Sequence, residues 1–67
     1  MKIFATYARV PAGNWHLTAV SAHSPERARS LAEREQRRPG SEIKDSTLTV
    51  KEFESIAAVP WQLSAAA

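Results

Sequence analysis

The sequence predicts a small α+β domain: an antiparallel β-hairpin, a helix packed on the sheet, a third strand and a short C-terminal helix, with a fourth strand as the alternative for that last element. Three observations carry this expectation. Residues 2–10 (KIFATYARV) and 15–23 (WHLTAVSAH) are two strand-like runs separated by Pro11-Ala12-Gly13-Asn14, a turn composition. Residues 24–40 open with helix-start residues, close on Pro39-Gly40 and hold five arginines. The whole chain is 67 residues long, room for one core and one domain.

The first strand draws its β preference from Ile3, Phe4, Thr6, Tyr7 and Val10. Pro11 ends it, and Gly13-Asn14 supply the positive φ that a tight reversal needs. The second strand alternates imperfectly. Thr18, Val20 and Ala22 fall on one side, and Leu17 and Ala19 fall on the other with Trp15. Val20 and Ala22 are small and are expected to face the helix. The second side then needs a cover, from the C-terminal segment or from a partner.

Ser24 is an N-cap residue and Pro25 suits the first helical position. Glu26 in the first turn and Arg37 and Arg38 in the last complement the helix dipole. Glu33 and Arg37 have the spacing and order of an i,i+4 pair worth about 0.3 kcal/mol. Ala28, Leu31 and Ala32 form a narrow apolar stripe that Glu35 extends, so Leu31 is the expected anchor.

Residues 41–47 read as the third strand, with Ile43 as its anchor. Residues 50–58 read as a short helix: Thr49 and Glu52 have capping-box spacing, and Leu48 and Phe53 sit where a hydrophobic staple needs them. The rival reading is a strand over 47–54 after a turn at Asp45-Ser46. Trp61 is expected to fold back on the core, and residues 62–67 to form a frayed tail.

Composition narrows the function. The chain has no cysteine, hence no disulfide or thiolate metal site, and this suits a reducing cytoplasm. Its longest unbroken apolar run is Ile56-Ala57-Ala58-Val59, so no membrane association is expected. A net charge of +2 is low for a dedicated DNA-binding domain and of the wrong sign for a DNA mimic. The core of so short a chain supplies roughly 3–5 kcal/mol, which makes a partner or a second copy useful; a monomer or a weak homodimer is the expectation.

No catalytic pattern emerges. His16 and His23 are seven residues apart in one strand and cannot share a metal. None of the seven serines sits in a nucleophile turn such as G-x-S-x-G. Two glycines cannot build a phosphate-cradling loop. Each carboxylate has a basic neighbour, as on a solvated surface. The chain is therefore expected to be a binding module rather than an enzyme, and no cofactor is expected.

The basic character is local. At about 100° per residue, Arg27, Arg34 and Arg38 fall near one line along the helix, with Arg37 further round and Arg29 on the other flank. Guanidinium groups on one edge can grip carboxylates or phosphates in bidentate fashion. The candidate partner-binding residues are Arg27, Arg34, Arg37 and Arg38, with Trp15 added because tryptophan beside a turn is a frequent hot spot. A merely solvating arginine edge remains the alternative, with Glu26, Glu33 and Glu35 as its internal partners.

The pattern Thr18-x-Val20-x-Ala22-x-Ser24-x-x-x-Ala28-x-x-Leu31-Ala32-x-Arg34-Glu35-Gln36-x-x-x-Gly40 resembles the strand–helix segment of small phage-encoded anti-CRISPR proteins that inhibit type I-F surveillance complexes. The likeness covers about a third of the chain and extends to a Met-Lys start and a tryptophan near the position of Trp61. Beyond Gly40 it fades, since that family continues into further strands where a helix is read here. The resemblance implies an inhibitor that docks on the crRNA-bearing backbone of a type I CRISPR surveillance complex, obstructs target DNA and does no chemistry. Of the candidate residues, only Arg34 matches the motif. The alternatives are a nucleic-acid-binding regulator using the same arginine edge, and a phage structural or adaptor subunit.

Overall fold

In a computed structural model of the chain, which describes residues 2–11 and 13–64, one helix lies on a four-stranded antiparallel sheet. The elements run β1 (Ile3–Arg9), β2 (Trp15–Ser21), α1 (Pro25–Arg37), β3 (Leu48–Phe53), a 3₁₀ turn (Ile56–Ala58) and β4 (Gln62–Leu63). The sheet order is β3-β1-β2-β4. The α+β class therefore holds, and the alternative fourth strand is present.

The hairpin forms as its turn chemistry dictates. Gly13 takes φ 99°, the Gly13 N–H donates to the Val10 carbonyl at 2.8 Å, and the Val10 N–H donates to the Asn14 carbonyl at 2.9 Å. Between Thr6 and Tyr7 the register slips. Thr6 opposes Ala19 but Tyr7 opposes Leu17, so Thr18 is the extra residue of a β-bulge. The bulge reverses the alternation. Leu17, opposite Tyr7, and Val20, opposite Ala5, share one face although they are three residues apart. Val20 thus lies on the Tyr7 face and not under the helix, and Ala22 lies beyond β2.

The α1 bounds match the sequence reading. The Ser24 Oγ accepts the Arg27 N–H at 3.0 Å, Pro25 is the first helical residue, and Gly40 turns the chain with φ 79°. Ala28 and Ala32 are wholly buried, whereas Leu31 is only half-buried. The helix is therefore seated by two methyl groups rather than anchored by a leucine. Below it, Thr6 and Ala8 of β1 are small and wholly buried, and Ser21 is nearly so. Small residues on both sides let helix and sheet approach closely.

Two expected elements change place. Residues 41–47 are a turned loop and not the third strand, because Ile43 is their only large apolar residue and α1 holds them locally. The Gln36 side-chain amide donates to the carbonyls of Ile43 at 3.0 Å and Ser46 at 2.8 Å. The third strand is Leu48–Phe53, in agreement with the rival reading of a strand over 47–54, and it replaces the start of the helix over 50–58; only Ile56–Ala58 turn, as a 3₁₀ helix. Pairing of all six β3 residues with β1, from Ala8↔Leu48 to Ile3↔Phe53, outweighs the local capping signals at Thr49 and Glu52.

The opposite face of β1 is closed differently. Tyr7 is the largest fully buried side chain. Its ring meets Phe53 edge-on at 6.4 Å, and its hydroxyl donates to the Pro60 carbonyl at 2.8 Å. Burial pushes the Tyr7 phenol above its ordinary pKa. Residues 54–61 cross this face to join opposite sheet edges, and the Leu17 N–H donates to the Trp61 carbonyl at 2.9 Å. Gln62 and Leu63 then pair with His16 and Trp15, so the start of the expected frayed tail is a strand. Residues 65–67 of that tail lie outside the described residues. Trp61 does not fold back on the core; it is 84% exposed.

Candidate functional site: the arginine face of the helix

All five arginines of the 24–40 segment are exposed. Two are internally compensated. The Arg29 Nε lies 3.6 Å from a Glu33 carboxylate oxygen, and Arg38 is paired with Glu35. Glu33 thus pairs back to Arg29 and not forward to Arg37. Arg27, Arg34 and Arg37 form no ion pair among the described residues. Arg34, Arg37 and Arg38 line an open depression beside the half-buried Leu31, with Glu35 at its rim.

This arrangement follows from local rules. Ala28 and Ala32 fix which side of α1 meets the sheet, and the arginines occupy what remains. Gln36, fastened to the 41–47 loop, holds the last turn so that the arginine stems project from a tethered helix end. Such a surface can bind anions through paired N–H donors, and its apolar patch at Leu31 offers a small dry contact.

Trp15 is not part of this surface. It opposes Arg9 on β1, whose guanidinium carbon lies 5.9 Å from its ring centroid, and both belong to the Tyr7 face. The helix covers the Thr6–Ala8 face, so the sheet separates Trp15 from the arginines. His16 and His23 are both exposed, and the His23 N–H is held by the Ser21 Oγ at 3.0 Å. Among the described residues no group of three His, Asp or Glu could hold a metal ion. No helix is long and apolar enough to cross a membrane.

Elsewhere, Lys2 bridges Glu54 at 3.1 Å and Glu52 at 3.4 Å, which raises its pKa chiefly through the hydrogen bond to Glu54. The sequence reading missed the exposed Ile56 and Trp61 of the C-terminal segment. The available signal was charge, since residues 55–64 contain none.

Comparison with protein families, with functionally described proteins and with solved structures finds no match to this chain.

Proposed function

We propose that this chain is a non-enzymatic inhibitor that binds a type I CRISPR surveillance complex in the cytoplasm of a bacterial host and obstructs target DNA. It docks through the arginine face of α1 on an anionic protein surface and works by occlusion. The observation that carries this reading is the row of exposed arginines, of which Arg27, Arg34 and Arg37 have no carboxylate partner among the described residues. Unpaired guanidinium groups are already available to a partner's carboxylates, without breaking an internal pair. The resemblance of residues 18–40 selects the partner class.

The test is capture of crRNA-loaded type I complexes from a lysate by the tagged protein, with and without nuclease. Nuclease-resistant recovery of complex subunits is expected. The Arg27→Glu/Arg34→Glu variant is expected to lose about thirtyfold or more in affinity, as at interface hot spots, with unchanged circular dichroism. Wild-type affinity in that variant would remove the arginine face from the reading. Nucleic acid recovered alone, with affinity falling log-linearly in salt at a slope of about −0.9 per duplex phosphate, would replace the inhibitor by a nucleic-acid-binding regulator.

A further inference from the structure

The C-terminal crossing segment has two unlike sides. Its inner side is fastened to the sheet through Pro60, which accepts the Tyr7 hydroxyl. The segment's apolar residues are exposed to differing degrees: Ile56 is 62% and Trp61 84% exposed, Ala57 and Ala58 are exposed, and Val59 and Pro60 are half-buried. The chain's nine basic and seven acidic residues all lie outside residues 55–64. Exposed apolar residues with a protruding tryptophan among them have the composition of an interface centre.

We infer that this patch is a homodimer interface, in which the Ile56–Trp61 segment of one copy packs against the same segment of a second copy about a twofold axis. An isologous interface sets each residue near its own copy, so any charge in its centre meets a like charge. A segment with no charge meets neither that repulsion nor the desolvation of a buried ion. A nucleic acid fits the patch poorly, because tracking a phosphate backbone needs cations and several stacking rings; this segment holds one ring and no cation. The domain also has a use for a second copy, since Tyr7 and Thr6 are its largest fully buried side chains.

The pairing has a consequence for α1. The helix covers the opposite sheet face, so both arginine rows stay outward in the dimer. Two rows on one particle raise the apparent affinity for a partner that repeats the same surface.

The test uses the full chain in sedimentation equilibrium from low micromolar to millimolar concentration. It is paired with fluorescence of a Trp15→Phe variant, in which Trp61 is the sole tryptophan. A monomer–dimer equilibrium is expected, with Trp61 emission shifting to the blue as dimer forms. Ile56→Lys places a like charge on each side of the axis and is expected to weaken dimerisation at least tenfold. Arg34→Glu, on the far face, is expected to leave it unchanged. A wild-type chain that stays monomeric throughout overturns the inference. So does a dimer that Ile56→Lys leaves intact, or one whose formation leaves Trp61 emission unmoved.

Discussion

The two faces of β1 bury the same strand by opposite means. On one face the wholly buried side chains are all small, Thr6 and Ala8 of β1 and Ala28 and Ala32 of α1. On the other, Tyr7 stands under Phe53 and the 54–61 segment, and one large ring with one hydrogen bond does the closing. The first face is therefore expected to resist added volume, and the second to resist loss of it. The difference also sorts the exteriors. The alanine-seated helix keeps its outer side for charge, while the segment over Tyr7 spends its apolar residues on both of its sides.

The sharpest way to break this comparison is at Tyr7. Tyr7→Ala removes the largest buried side chain and leaves a cavity, a change that costs about 3–5 kcal/mol. That equals the roughly 3–5 kcal/mol a core of this size supplies. The variant is expected to lose cooperative thermal unfolding and most of its far-ultraviolet dichroism at room temperature. A folded variant with a measurable midpoint would show that the helix face alone sustains the domain.

On the helix face the corresponding change is an addition. Ala32→Leu forces side-chain volume into a closed contact and is expected to cost about 1–3 kcal/mol. Urea denaturation should show a lower midpoint with helix content retained. A neutral result would mean that α1 does not sit as closely as its alanines allow.

What could be read beforehand divides along similar lines. The helix bounds were legible because Ser24, Pro25 and Gly40 act within a few residues of themselves. The arginine row was legible because helical spacing is regular once those bounds are known. The Thr18 bulge was not, because inserting one residue exchanges the faces of everything after it while the composition stays the same. Residues 48–53 carry two local signals, a capping pattern at Thr49 and Glu52 and the alternation of a strand over 47–54, and nothing within them decides between the two. Their fate is set by β1, forty to fifty residues upstream. Nor could the sequence place Trp61. An apolar side chain near a chain end is buried or exposed according to what the fold leaves uncovered. For the same reason Trp15 was grouped with the arginines, from which the sheet separates it.

The smallest expected effect tests the comparison most finely, because among the described residues each face holds one wholly buried hydroxyl, Thr6 on one and Tyr7 on the other. Tyr7 donates to the Pro60 carbonyl at 2.8 Å, whereas the Thr6 Oγ1, beneath the helix, has no hydrogen-bond partner among the described residues. A buried hydroxyl without a partner costs about 1–3 kcal/mol, while a satisfied one contributes about 1 kcal/mol net. Deleting the two groups should therefore have opposite signs. Thr6→Val keeps the β-branched shape, fits beside Ala19 and Val50, its neighbours in the register, and is expected to stabilise by about 1 kcal/mol. For a domain of this size that raises Tm by about 4–8 °C. Tyr7→Phe keeps the ring but strands the Pro60 carbonyl, and is expected to lower Tm by a similar amount. Thermal melts of the two variants against wild type decide it. If both fall, Thr6 has found a partner such as a buried water, and the contact between helix and sheet is not the dry one its small residues permit.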